Sequence, residues 1–392
     1  MAGESERPRA LLVSTERPWP LDSGVRRRLS ATLAGLAQVA DVDLCSVLPE
    51  PGPPPPAGLP AAHVLRPPRR AGYDLTRLPR WLGGHLPRSV ALVDWEPARA
   101  ALRAAPRYDV AWVLGAHTLA GIGRLPADRV VLDVDDVPYL VLEHKLAARA
   151  GSPLQRAADR LDARRWRSLL PRLLADVDAA AVCSSLDQRR LGGGQVVIPN
   201  GYDPPAVRPR RSDVRPVLVC VGGSDYGPND DANVVAAREV LPLVRRELPD
   251  AELWLVGTAA PGSATSGLGE LPGVRLLGHV PDVPAVLAEA AVSLVAIRFG
   301  GGTRVKVLEA FAHELPVVST SVGVEGLEVR PGEHVLVADD AAGLAAACLR
   351  VLRDAAVGTA LSGAARRLLA EEYTAEQARS RVAELARAQL PG

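Results

Sequence analysis

At 392 residues, 47% of them hydrophobic and 23% charged, the chain has the make-up of an ordinary globular protein, not of a disordered or fibrous one. It exceeds the roughly 250–300 residues at which a single core stops growing, so two domains are expected. Its 46 Lys and Arg balance 45 Asp and Glu, a net charge of +1, which excludes the basic field that drives nucleic-acid binding and leaves any anionic ligand to be held locally.

Other classes drop out in the same way. Cys45, Cys183, Cys220 and Cys348 are far apart and make no CxxC, which argues against a zinc site and a disulfide framework and for buried reduced thiols. No 18-residue apolar span and no signal-peptide pattern occurs, the first residues being MAGESERPR, so a cytoplasmic location is expected. Lysine is nearly missing: Lys145 and Lys306 are the only two, which makes a lysine informative here.

Short β-branched runs alternate with Ala/Leu/Arg segments of helical period, the pattern of βα units on parallel sheets. In chain order the expected strands are 10–14, 42–48, 109–114, 130–134, 179–185 and 195–201, then 216–222, 251–257, 274–280, 291–297, 316–323 and 334–340. Each half can close its own doubly wound sheet. The proline-rich stretch 203–216 reads as the linker between them, giving domains 1–205 and 206–371. A second proline run, 49–60, suits neither helix nor central strand and reads as a surface excursion. The last residues form a helix, with Thr374 three residues before Gln377 as a capping box. The residues alone do not say which domain that helix joins.

In open α/β sheets ligands bind at the carboxyl ends of strands, so the loops after strands are the places to search. FGGGTRVKVLEAFAH is one: a strand ends, Gly300, Gly301 and Gly302 turn, and Thr303 and Arg304 lead into a helix. Glycines there let backbone N–H groups approach an anion, and the helix start adds partial positive charge. Lys306, Glu309 and His313 share one helix face. Arg304 and Lys306 suit a phosphate, and the two carboxylate oxygens of Glu309 suit a vicinal diol such as a ribose. The same Lys and Glu also suit a plain solvated helix face.

A second loop, VGGSDYGPNDDANVV, puts Gly222, Gly223 and Ser224 after a strand and Asn229 at a helix start. Asn200, in IPNGYD, is read equally well as turn chemistry. In the first half, PLDSG brings Gly24 to a helix start, GAHTLAG puts His117 after a strand, and Asp133, Asp135 and Asp136 end another. The aspartates lack a partner cluster, so no metal site is expected. The helix 155–174 carries Arg156, Arg160, Arg164 and Arg167 on one face. Asp159 and Asp162 interrupt that charge, which favours a solvated face over membrane association.

These residues resemble a family. GGGTRVKVLEAFAHELPVVSTSVGVEGLEV looks like the donor-binding segment of retaining glycosyltransferases of family 4, which have the GT-B fold, in a GGGTR-type branch. PLDSG, VCSSLDQRRL with IPNGYD, VGGSDYGPNDDANVV and LLGHVPDV are similar to the family in the same order. The resemblance covers nearly the whole chain and implies two Rossmann-like domains facing across a cleft, with helix 372–392 returning to the first. It implies that Glu309 holds the ribose, Arg304 and Lys306 the diphosphate, Gly24 approaches the phosphates, His117 stands near the transferring sugar, and the backbone at His279 and Val280 meets the base. Two departures stand out. The family's first sugar-reading glutamate falls on Gly301, and the loop Gly222–Ser224 lacks an arginine many members carry.

The implied activity is metal-independent, cofactor-free, retaining transfer from a nucleoside-diphosphate sugar. The expected acceptor is a small natural-product scaffold, taken up by the proline-rich, somewhat apolar stretch 50–95 with Tyr73, Trp81 and Trp95; a cell-envelope lipid or saccharide is the alternative. Outside the transferases, a sugar-nucleotide epimerase or a non-catalytic nucleotide-binding partner remain as readings.

Overall fold

The computed structural model describes residues 7–47, 56–61, 63–65, 74–205 and 215–390. The run 49–55, Tyr73 and most of the expected linker, 206–214, lie outside them. The chain divides into two compact units, Met1–Gly201 with Ala375–Gly392, and Tyr202–Thr374.

In the first unit seven parallel strands line up in the order β3-β2-β1-β4-β5-β6-β7. They are β1 (Arg9–Ser14), β2 (Asp41–Ser46), β3 (His63–Leu65), β4 (Tyr108–Leu114), β5 (Ala127–Val134), β6 (Ala179–Val182) and β7 (Val196–Val197). The sheet is covered on both faces, as all-parallel sheets are. Leu11, Val13, Ala111, Val113, Leu132 and Val134 enter one core. Their alternating neighbours Ala10, Leu12, Val110, Trp112 and Val131 enter the other. That second core is closed by helix Gly24–Leu36 and by the terminal helix Ala375–Gln389, through Leu29, Leu33, Val382 and Ala386. The two helices pack so closely at Gly35 that a Cβ there would stand 2.6 Å from the Arg379 carbonyl oxygen.

The second unit holds β8 (Val217–Val221), β9 (Glu252–Val256), β10 (Val274–Gly278), β11 (Val292–Val295), β12 (Val317–Ser319) and β13 (Leu336–Val337). Their order is β10-β9-β8-β11-β12-β13, all parallel. This is the 3-2-1-4-5-6 order of dinucleotide-binding sheets, and its direction reverses between β8 and β11. The strand β3 has no counterpart among the expected ones: three residues at a sheet edge are too few to show a period.

The four cysteines are free and buried. Burial pushes the Cys45 and Cys220 thiols up to about 12, so they stay protonated and unreactive. Helix Pro153–Ala175 turns its aspartates inward: Asp159 pairs with Lys145 at 3.0 Å, and Arg88 binds both Asp159 and Asp162. Lys145, the other lysine, thus serves a structural ion pair. Arg167 bonds Glu143 at 2.7 Å and Leu170 is core, so this helix is an internal support with a solvated rim. Trp81 and Trp95, expected beside an acceptor, are buried. Trp81 donates to Asp162 at 2.9 Å and Trp95 to the Val90 carbonyl at 3.0 Å.

Candidate donor site at the second switch point

The loops that follow β8 and β11 meet where the strand order reverses. After β8 the chain turns at Gly222 with φ +132°, a conformation glycine adopts without strain. A Cβ there would lie 2.5 Å from Asn229 Nδ2 and 3.0 Å from Lys306 Nζ. Gly257, φ +129°, lets β9 approach the same turn: its Cβ would stand 2.6 Å from the Gly222 carbonyl carbon and from the Gly223 nitrogen. Asn229 donates from Nδ2 to the Gly223 carbonyl at 2.8 Å and accepts from Lys306 Nζ on Oδ1 at 2.6 Å. Lys306, from helix Val305–Ala312, is thereby tied to the first loop. Arg298, just after β11, adds a second tie, donating to both carboxylate oxygens of Asp231 at 2.5 and 2.8 Å.

The glycine run after β11 folds around Arg304. Gly300 has φ +144° and Gly302 φ +61°, and a Cβ on Gly300 would lie 3.1 Å from Arg304 Nη2. Arg304 is 7% exposed. Its Nη1 donates to the Gly301 and Gly302 carbonyls, the latter at 2.8 Å. Its Nη2 is buried with no hydrogen-bond partner among the described residues. A buried, unanswered guanidinium group costs the desolvation of a charged donor, which makes Arg304 Nη2 a candidate to meet an anion or water from outside the protein.

Burial lowers the Lys306 ammonium from its ordinary value to about 8. Arg304 lowers it too, while Cys220 and Glu309 pull it upward. One turn on, Glu309 is buried and accepts from the Tyr202 hydroxyl at 2.9 Å.

Gly222, Gly223, Asn229, Gly300, Gly301, Gly302, Arg304 and Lys306 are thus brought together, with Thr303 buried beside Arg304 and Glu309 on the same helix. Ser224 also joins two loops. Its hydroxyl accepts from the Ala260 N–H at 2.8 Å and bonds Ser263 Oγ at 2.9 Å, stapling two loops. Asn229 likewise holds Lys306. His279 is exposed and Val280 half-buried, after the edge strand β10. Tyr202, Gly257 and Arg298 escape the sequence reading. For Tyr202 the tyrosine in IPNGYD was the available signal, masked by the turn chemistry around it.

The first unit's strand ends are occupied by their own residues. Arg28, from the helix after β1, donates to Asp133 Oδ1 from Nη2 at 2.6 Å, to the Ile198 carbonyl at 2.8 Å and to Asn200 Oδ1 at 3.1 Å. Burial works against its charge, but Asp133 and Asp135 raise its pKa on balance. Burial also lifts Asp135 to about 7, with Asp136 adding to it and Arg28 opposing. Gly24 opens its helix, capped by Ser23, which accepts from Arg26 N at 3.3 Å. His117 follows Gly115, φ +86°, at the end of β4, and burial pushes its imidazole down to about 4. Among the described residues no three His, Cys, Asp or Glu are grouped to hold a metal ion.

Two Rossmann-like parallel sheets in succession are the arrangement of the GT-B class of α/β fold. Residues 215–354, all within the second unit, match the family described as Glycosyl transferases group 1. Solved structures agree on the fold over nearly the whole chain. A sucrose-phosphate synthase from Thermosynechococcus elongatus is 19% identical, with 97% of this chain and 99% of that one covered and a TM-score of 0.72. Anabaena Alr3699/HepE, solved with UDP and glucose, is 15% identical over 97% and 100% of the two chains, TM-score 0.65. WaaG, a glycosyltransferase involved in lipopolysaccharide biosynthesis, is 16% identical over 96% and 99%, TM-score 0.61. Comparison with curated protein sequences finds no match.

Proposed function

We propose that this protein is a retaining glycosyltransferase of family 4 that takes a sugar from a nucleoside-diphosphate donor without a metal ion. The observation that carries this is the Arg304 guanidinium. It is buried, has one N–H group unanswered, and is set against a glycine turn beside a lysine that the opposite loop holds in place. Fixed cationic donors at that point stabilise the charge that develops on a departing diphosphate. Lys306 fits because a compact ammonium on a thin stem reaches an anion where a planar guanidinium does not. Glu309 receives the ribose hydroxyls. That Alr3699/HepE was solved with UDP and with UDP-glucose supports a nucleotide sugar as donor.

In the reaction the bond from the anomeric carbon to the diphosphate oxygen breaks, and the acceptor hydroxyl bonds that carbon on the same face. The departing phosphate oxygen takes the hydroxyl proton. No strong protein base is needed, and His117, neutral at working pH, positions or polarises the sugar.

A small natural-product scaffold is the proposed acceptor. The envelope lipid or saccharide alternative has one observation in its favour. Leu75, Leu78 and Leu82, spaced three and four apart, are 76%, 42% and 59% exposed, beside Arg80, while Arg77 and Arg88 of the same stretch are taken up in ion pairs with Asp74, Asp94, Asp159 and Asp162. Such a face suits an anionic lipid surface. Co-sedimentation with anionic vesicles at low salt supports the lipid acceptor, and its absence supports the scaffold.

A thermal-shift screen with UDP, GDP, ADP and dTDP tests the donor site. Stabilisation by one of them, abolished in Lys306→Ala and in Glu309→Gln, is the expected result. Indifference to all four sinks the proposal.

A further inference from the structure

Glu309 does not stand in its site unaided. Tyr202 is the first residue of the second unit, 107 residues from Glu309, yet its phenol O–H donates to Glu309 Oε1 at 2.9 Å, with both residues over nine-tenths buried. Tyr202 is itself held from two sides. Its backbone N–H donates to the Tyr373 carbonyl at 2.8 Å, and its ring meets His313 edge-on, centroids 6.4 Å apart at 72°. Tyr373 is fixed in turn, its hydroxyl accepting from the Glu328 N–H at 2.7 Å.

A glutamate has three rotatable side-chain bonds, and its freedom has to be removed before it can offer two oxygens to two adjacent hydroxyls. A hydrogen bond from a neutral phenol to an ionised carboxylate is of the stronger, charge-assisted kind and fixes the plane of that carboxylate. Placed on a buried, doubly anchored tyrosine, it has little freedom of its own to surrender.

We infer that Tyr202 is a positioning residue for the donor's ribose: by orienting Glu309 it sets the site's preference for a ribonucleoside diphosphate over its 2′-deoxy counterpart. The inference rests on the reading of Glu309 as the ribose acceptor.

The test compares wild type with Tyr202→Phe, titrated with UDP, 2′-deoxy-UDP and inorganic pyrophosphate. UDP should bind about five- to tenfold more weakly to the variant, less than for losing a charge-assisted hydrogen bond made by the ligand itself, because Tyr202 acts through Glu309. Pyrophosphate affinity should not change, and the UDP over 2′-deoxy-UDP preference should shrink by a similar factor. A role confined to stability would lower the unliganded melting temperature and leave that preference as it was, which overturns the inference. If the variant is poorly stable, a double-mutant cycle decides: in a Glu309→Gln background, Tyr202→Phe should have no further effect on UDP affinity, and an undiminished effect counts against it. A wild type that binds pyrophosphate but does not prefer UDP over its 2′-deoxy form removes the reading of Glu309 first, and this inference with it.

Discussion

On the helix after β1, Arg28 is closed in by Asp133 and Asp135 at the end of β5 and by Asn200 and the Ile198 carbonyl after β7. At the carboxyl ends of β8 and β11, Arg304 is just as deeply buried, yet it meets only the carbonyls of its own loop and keeps one N–H unanswered. Arg28 stands on the helix after the first strand of its sheet and Arg304 in the loop after the fourth strand of its own, in sheets whose first six strands run in the same order. One has been given counter-charges by the protein, and the other has been given glycines. On the proposed reading, the difference separates a polar cluster that holds a fold together from one that receives an anion, and it lies in the partners, since the cations are alike.

Removing each arginine is the largest test of that contrast. Arg28→Ala leaves Asp133 buried beside no cation, and breaking a buried ion pair from one side costs about 3–5 kcal/mol; denaturant unfolding should show a loss of that size. Arg304→Ala removes a charge that has no counter-ion within the loop. Its stability cost should stay below about 1 kcal/mol, while nucleoside-diphosphate affinity falls about 10- to 100-fold, as expected for charged hydrogen bonds worth roughly 1.5–3 kcal/mol. Equal losses of stability in the two variants would dissolve the distinction.

A pair of glycines extends the comparison. Gly35→Ala in the first unit drives a Cβ to 2.6 Å from the Arg379 carbonyl oxygen, and Gly257→Ala in the second drives one equally close to the Gly222–Gly223 backbone, at φ +129°. Both should destabilise by about 1–3 kcal/mol through overpacking or strain. Only Gly257→Ala should also weaken UDP binding in titration calorimetry, because only that turn carries the donor loop.

Much of this contrast was legible in the sequence. Parallel strands buried on both faces write themselves as short apolar runs, such as LVCV and LWLV. The strand-loop-helix order then located both sets of loops, and the rarity of lysine drew attention to Lys306. What stayed hidden was partnership across the chain. Nothing adjacent to Arg28 announces that Asp133 will meet it 105 residues on. Ser224 sits in a phosphate-loop context but bonds Ser263, and Tyr202 reaches Glu309 across 107 residues. Trp81 and Trp95, expected beside an acceptor because of the proline-rich stretch before them, each find a hydrogen-bond acceptor inside the unit for the indole. Spacing reveals faces of one element; it does not reveal which distant acceptor a donor will find.

The smallest expected effect concerns pH and turns on the same asymmetry. Lys306 has its pKa lowered to about 8 because burial, with Arg304 nearby, disfavours the charged amine. A bound diphosphate supplies the missing counter-charge and raises that pKa, so binding draws the ammonium form. The affinity is therefore complete below pH 8 and falls by up to tenfold per pH unit above it, about 1.4 kcal/mol for each unit. It should hold level down to about pH 6, where a terminal phosphate begins to take up a proton. His117, held down at about 4 by burial, stays neutral throughout this range and should add no limb of its own. UDP titrations at half-unit steps from pH 6 to 9.5 decide the matter, with Lys306→Ala as control. The alkaline fall should vanish in that variant. If the fall persists, the group that titrates near 8 is another one, and Lys306 is a structural cation like Arg28.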